Sequence, residues 1–346
     1  MNQKLALIGF GTVGQGLCEI LLQKREYLKN MYDFEWELVA VSDMLKGSVL
    51  NPSGLNVTKL LDLAKNGKSL EEYDDAGEKG LNATDTIDKC NADIVCELSY
   101  TDIKTGQPAT DHCRAALKSG KSVVTSNKGP AALFYRELNQ LAQEKGVQFL
   151  IEGTVMSGTP VLNVARNDLA GNDITAIRGI LNGTTNFILT NMESGKAYED
   201  VLKEAQELGY AEADPTADVE GFDALAKVTI LANVVMNENI KPDQIPCKGI
   251  SQITLDDIED ARKQNKRWKL IGEIKKDQNG VTASVSPIMV DLSHPLAGVN
   301  GATNAITFIT DLMGDITVVG AGAGRIETGF SILTDILEIN RFAKEK

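Results

Sequence analysis

One segment of this 346-residue chain concentrates groups able to do acid–base chemistry. It runs Gly209-Tyr210-Ala211-Glu212-Ala213-Asp214-Pro215-Thr216-Ala217-Asp218-Val219-Glu220-Gly221-Phe222-Asp223-Ala224-Leu225-Ala226-Lys227, with five carboxylates ahead of one lysine. Asp223 and Lys227 stand four apart, so on a helix they share a face and can pair. Phe222, Leu225, Ala226, Val228 and Ile230 surround them, which predicts a largely buried helix, and buried charges are rarely left without partners. An ordinary helix ion pair, worth about 0.3–0.5 kcal/mol, has the same spacing. The other reading is a functional cluster of acids and one lysine in a substrate domain. The chain has two histidines, His112 and His294, and five scattered cysteines with no C-x-x-C. That leaves little for a multi-histidine metal centre, a zinc ribbon or a disulfide framework, and directs attention to Lys, Asp and Glu.

Two further motifs concern a dinucleotide. Gly9-Phe10-Gly11-Thr12-Val13-Gly14 reads G-x-G-x-x-G, directly after the apolar run Lys4 to Ile8 and at the start of a run with helical spacing. In that context Gly9 allows the tight turn, Gly11 lets the backbone approach a pyrophosphate, and Gly14 lets helix and strand pack closely, with Thr12 and Val13 opening the helix. Asp43 ends a second strand, where a carboxylate accepts hydrogen bonds from an adenosine ribose and repels a 2′-phosphate, favouring NAD. Lys46, three residues on, could instead pair with that phosphate and favour NADP, and an ordinary strand-end aspartate remains open. Lys128, in Thr125-Ser126-Asn127-Lys128-Gly129-Pro130, follows another strand; it is either poised over nicotinamide and substrate or a solvated loop lysine.

These residues need elements to hold them. Strand and helix patterns alternate from Lys4 to Ile151, which predicts βαβ units and an α/β domain with a parallel sheet of Rossmann type. Within it, Met44 to Asp85 is rich in Gly, Asn, Asp and Lys, with one helical patch at Val57 to Lys65, and reads as an insertion. After Thr154 helical runs mix with well-separated strands, as in an α+β domain. The expected organisation is a dinucleotide-binding domain over 1–150, a substrate-binding and dimerisation domain over 151–320, and a glycine loop and helix over 321–346 returning to the first domain. The formal net charge of −13 argues against nucleic acid or an anionic membrane surface as partner. Phosphates must then be held locally, by amides at a helix N-terminus. No run approaches the apolar length of a membrane span, no leader pattern precedes the first strand, and scattered cysteines suit a reducing cytoplasm.

At these residues the chain resembles the homoserine dehydrogenases. The matching blocks are the N-terminal fingerprint, Thr125 to Pro130, Glu152-Gly153-Thr154-Val155-Met156-Ser157-Gly158-Thr159-Pro160, Gly179-Ile180-Leu181-Asn182-Gly183-Thr184-Thr185-Asn186, the acidic segment, and Gly320-Ala321-Gly322-Ala323-Gly324. They follow the family order across nearly the whole chain, and the Gly179 and Gly209 blocks are specific. The resemblance implies reversible NAD- or NADP-dependent reduction of L-aspartate 4-semialdehyde to L-homoserine, in the biosynthesis of threonine, methionine and isoleucine. It makes Lys227 the proton donor, Lys128 a second lysine near substrate and nicotinamide, and Asp218 a further acid by the reacting group. Glu212, Asp223 and Thr184 would bind substrate, and Ser99, Thr101, Gly209 and Gly324 would line the cofactor. Glu152, Val155, Ser157 and Thr159 would form a carbonyl-rich site for structural sodium. A homodimer through the second domain is also implied, with the apolar Ala305 to Leu312 as a candidate contact.

The sequence departs from the family in two places. The chain ends soon after the glycine loop and one helix, so the expected form lacks a C-terminal regulatory domain and threonine feedback through it. The Met44 to Asp85 insertion leaves the adenosine end of the pocket open. Rival readings are a reductase of another amino-acid semialdehyde or keto acid, and a non-catalytic dinucleotide sensor; the intact lysines and acids argue against the sensor. A phosphorylating dehydrogenase would need a nucleophilic cysteine in a polar, glycine-flanked turn, whereas Cys18 and Cys96 read as core.

Overall fold

The computed structural model describes residues 2–345; Met1 and Lys346, at the outer ends of the expected first strand and last helix, lie outside the described residues. The first sheet comprises β1 (Asn2–Ile8), β2 (Glu35–Asp43), β3 (Gly47–Leu50), β4 (Glu78–Lys79), β5 (Ile94–Glu97), β6 (Ser122–Thr125) and β7 (Phe149–Leu150). The order is β4-β3-β2-β1-β5-β6-β7. Its core, β2-β1-β5-β6-β7, is parallel. Leu5 to Ile8 and Ile94 to Glu97 are buried throughout, as strands covered on both faces must be. Strand order reverses between β1 and β5, so a ligand crevice opens above their carboxyl ends.

Part of the segment expected to be an irregular insertion belongs to the sheet. β3 turns back antiparallel on β2, and β4 pairs antiparallel with β3. The helical patch at Val57–Lys65 forms as expected, capped by Asn56, whose side chain accepts from Lys59 N. Polar composition hid the hairpin because β4 is two exposed residues held by main-chain bonds.

The chain divides into two compact units, residues 1–158 with 324–346, and residues 159–323. The boundaries therefore fall at 158/159 and 323/324, where the sequence pattern had put them near 150 and 320. Residues 151–158 are held by the C-terminal helix Arg325–Glu345. Glu152 N donates to the buried Asp335 carboxylate at 2.9 Å, and the Ser157 and Thr328 hydroxyls are 2.7 Å apart. That helix also packs on the helix Thr12–Gln23 after β1. Its Ile332, Leu333, Ile336 and Ile339 share one core with Leu5, Leu17 and Ile94. The crossing is made by glycines: a Cβ on Gly16 would stand 2.3 Å from Arg325 O, and one on Gly329 2.7 Å from Leu17 N.

The second unit carries a wholly antiparallel sheet of β8 (Ile174–Ile180), β9 (Lys266–Asp277), β10 (Gly280–Asp291), β11 (Thr303–Thr310) and β12 (Gly314–Ala321). The order is β10-β9-β8-β11-β12. Helices Gly183–Met192 and Phe222–Val234 pack on it. The apolar stretch Ala305 to Leu312 is not a free contact surface. Ala305 to Phe308 lie buried in β11, flanked by β8 and β12, while Leu312 projects from the following turn. An alternating apolar run looks the same in sequence whether its partner strand is its own or a neighbour's.

Gly16→Ala is expected to force the two helices apart and cost about 1–3 kcal/mol, read as a lower urea midpoint at unchanged slope.

Candidate active site

In the first unit the fingerprint closes the turn from β1 into its helix. Gly9 sits at φ +106, its N–H bonded to Ser42 O at 2.8 Å, and an added Cβ would meet Leu98 O at 2.3 Å. Gly11 is the N-cap of the helix Thr12–Gln23, makes no side-chain cap, and has open space where a Cβ would be. The first-turn amides at Thr12, Val13 and Gly14 thus have no capping side chain, as a pyrophosphate site requires. Asp43, at the end of β2, accepts from Phe10 N at 2.7 Å through one oxygen and from Leu45 N and Lys46 N at 3.0 Å through the other. It braces the fingerprint loop, with Lys46 Nζ 3.8 Å away. The residues present fit a dinucleotide.

Beyond β5 the chain carries Ser99 and Thr101, and beyond β6 Asn127 caps the helix Lys128–Leu133, accepting from Gly129 N. The Asn127 amide also donates to Ser99 O at 3.2 Å and Tyr100 O at 2.9 Å. Lys128, half-buried, therefore starts a helix tied to the Ser99 loop. Gly324 opens the C-terminal helix at φ +147.

The second unit assembles the acids and the lysine. Lys227 is 6% exposed, and its Nζ donates to Leu181 O at 2.6 Å and Asp223 Oδ2 at 2.7 Å. Asp218, on the short helix Thr216–Val219, and Asp223, in the first turn of Phe222–Val234, both accept from the Asn182 amide, at 2.7 and 2.9 Å. Asn182 caps Gly183–Met192: its Oδ1 takes Thr185 N at 2.9 Å, which fixes the amide with its NH2 towards the acids. Thr184 donates to Tyr210 O at 2.5 Å. Burial, reinforced by the Asp223 carboxylate, raises Asp218 above the ordinary aspartate value, against the hydrogen bond from Asn182 and the charge of Lys227.

Glu212 is not drawn into this cluster. Its side chain is exposed with no hydrogen bond among the described residues, while its carbonyl accepts from Gln206. Gly209 ends the preceding helix at φ +76, with no heavy atom near its Cβ position. Sequence reasoning assigned no role to Asn182, although Asn-Gly-Thr-Thr is a legible helix start. It also passed over Lys269, fully buried on β9, which donates to Asn186 Oδ1 at 2.9 Å and Val299 O at 2.6 Å beneath the same helix. Burial pushes Lys269 down to about 8.

Of the residues expected to hold sodium, Glu152, Val155 and Ser157 are buried, Ser157 adopts left-handed backbone at φ +54, and Thr159 donates to Ala321 O at 3.0 Å. Among the described residues no group of three or more His, Cys, Asp or Glu side chains could hold a metal.

Together these features place the chain among the nicotinamide-dependent oxidoreductases. The family follows from known proteins. The homoserine dehydrogenase family model matches residues 160–337, and that of the homoserine dehydrogenase NAD-binding domain matches 9–152. An NAD(+)-dependent homoserine dehydrogenase of Pseudomonas canavaninivorans is 46% identical, over 99% of this chain and 97% of its own length. The homoserine dehydrogenase of Methanocaldococcus jannaschii is 41% identical over 99% of both chains. A hyperthermophilic archaeal homoserine dehydrogenase solved with NADPH has a TM-score of 0.84 at 30% identity, covering 99% of this chain and 98% of the other. The chain belongs to the homoserine dehydrogenase family.

Two outcomes test the electrostatics. A raised Asp218 favours the native state while protonated, and that contribution is lost as pH rises through its native value, above which the ionised group is a cost. Asp218→Asn should raise the thermal midpoint at pH 7 by a few degrees while lowering turnover. For Lys269 the native value near 8 lies below the ordinary 10.5. The unfolded chain holds more protons between the two, so stability should rise from about pH 8 to 10.5, and Lys269→Met should flatten that slope in denaturation series.

Proposed function

We propose that this protein interconverts L-aspartate 4-semialdehyde and L-homoserine, with Lys227 exchanging the proton at the substrate oxygen. The observation that carries the assignment is the valence of Lys227. Its ammonium has three hydrogens, two are held by Leu181 O and Asp223, and the third is left for a substrate oxygen. In the reducing direction the bound nicotinamide supplies a hydride to the aldehyde carbon. Lys227 stabilises the charge that grows on oxygen and gives it a proton. Glu212 and Asp223 offer oxygens to the substrate ammonium, Asp218 is a further acid by the reacting group, and Thr184 steadies the loop through Tyr210 O. Fixing the ammonium end orients the carbonyl. Lys128 adds a second cation by the nicotinamide end.

Gly9, Gly11, Thr12, Val13 and Gly14 hold the pyrophosphate in this reading, and Ser99, Thr101, Gly209 and Gly324 line the rest. NAD is preferred over NADP: the Asp43 carboxylate stands at the end of β2, and the Pseudomonas relative is NAD(+)-dependent, although the archaeal one binds NADPH. Sodium held by Glu152, Val155, Ser157 and Thr159 would be structural. A homodimer through the antiparallel unit is supported by the edge strand β12, whose Val319 is exposed. The free cysteines suit a cytoplasmic protein.

The test is NADH and NADPH formation from L-homoserine by the wild type and Lys227→Ala. Expected are turnover faster with NAD and a loss of at least about 10²-fold in the variant. Wild-type kcat in the variant removes Lys227 from the mechanism, and faster turnover with NADP hands the adenosine end to Lys46.

A further inference from the structure

Glu97 ends β5 and is completely buried, yet the chemistry above gives it no task. Its Oε1 accepts from the Ser99 hydroxyl, from Ser99 N at 3.4 Å, and from Nδ1 of the nearly buried His112 at 3.2 Å. His112 comes from the helix Ala109–Lys118. Among the described residues Glu97 Oε2 has no hydrogen-bond partner. Above it, the Thr125 hydroxyl donates to Glu97 O at 2.6 Å, and the Asn127 amide holds Ser99 O and Tyr100 O. The carboxylate thus lies under the crevice where strand order reverses, with Leu98 N bonded to Ile8 O and Leu98 O against Gly9.

A hydroxyl has one hydrogen to give, and a carboxylate only accepts. The Ser99 hydrogen goes to Glu97, so Ser99 Oγ can offer a ligand nothing but lone pairs. A phosphate oxygen, itself an acceptor, gains nothing from such a group. Across the sheet, Asp43 on β2 marks the adenosine side and the fingerprint after β1 the pyrophosphate, which leaves β5 to the nicotinamide half. We infer that Glu97 is a positioning residue which commits Ser99 to accept a hydrogen bond from a donor on the nicotinamide half of the cofactor, a ribose hydroxyl or the carboxamide NH2. The inference rests on the dinucleotide reading above and adds the polarity of one contact to it.

The test is binding, independent of turnover: titration of NADH and of ADP, which lacks the nicotinamide half, into the wild type, Ser99→Ala, Glu97→Leu, Glu97→Gln and the double variant Ser99→Ala/Glu97→Leu. Ser99→Ala and Glu97→Leu should each weaken NADH about tenfold and leave ADP within twofold. The double variant should be no weaker than Ser99→Ala alone. Glu97→Gln, which keeps an acceptor at the Oε1 position, should stay within about threefold of wild type. Equal weakening of ADP and NADH in Ser99→Ala makes the contact a phosphate contact and overturns the inference, as does unchanged NADH binding or a multiplicative double variant. If Glu97→Leu does not fold, Ser99→Ala and Glu97→Gln still decide, since a tenfold loss in Glu97→Gln also overturns it. Absence of NADH binding in the wild type would instead remove the dinucleotide reading.

Discussion

An amide nitrogen carries two hydrogens, and in Asn182 both point at carboxylates. Asp218 and Asp223 are near enough to repel one another, and burial makes that repulsion worse. Two things offset it: the Asn182 amide between them, and Lys227, which donates to the same Asp223 oxygen that takes the amide. The amide can serve only because its oxygen is held by Thr185 N, at the start of a helix laid on the antiparallel sheet. Remove that orientation and the acids lose a shared donor, the lysine loses a fixed counter-ion, and the carbonyl of Leu181 loses its register with both. The second unit is arranged around this constraint.

The first unit solves a different electrostatic problem. The protein carries a net charge of −13, yet its cofactor is an anion. Backbone amides at the start of the helix Thr12–Gln23 supply local positive potential irrespective of that total. Asp43 contributes by gathering three N–H groups around the mouth of the fingerprint loop rather than by its charge alone.

Much of this was legible in the sequence where the physics is local. The glycine spacing announces a strand-to-helix turn because the left-handed backbone of Gly9 and the close approach of Gly14 to Gly9 O are local. The four-residue step from Asp223 to Lys227 announces a shared helix face. Asn182 was not legible as a hub, since its partners lie far along the chain and nothing nearby signals their approach. Lys269 carries no local signal of its fate, and only the packing of a helix over β9 makes it a buried cation. The pairing of β3 with β2 escaped because polar composition says little about main-chain bonds. Ala305 to Phe308 misled for the opposite reason: an apolar strand states that it will be covered and not by what.

The closing contact of the first unit, Gly16 against the start of the helix Arg325–Glu345, bears on how the chain is made. Residues 2–158 leave the ribosome before the helix that supplies Ile332, Leu333, Ile336 and Ile339 to their core. All of 159–323 must be synthesised in the meantime. The nascent first unit therefore waits with an apolar face uncovered, while the antiparallel unit is contiguous and can complete its sheet first. Synthesis thus reverses the order of the two units in the sequence, and the interval before the last helix emerges is when the chain is most exposed to chaperones and to aggregation.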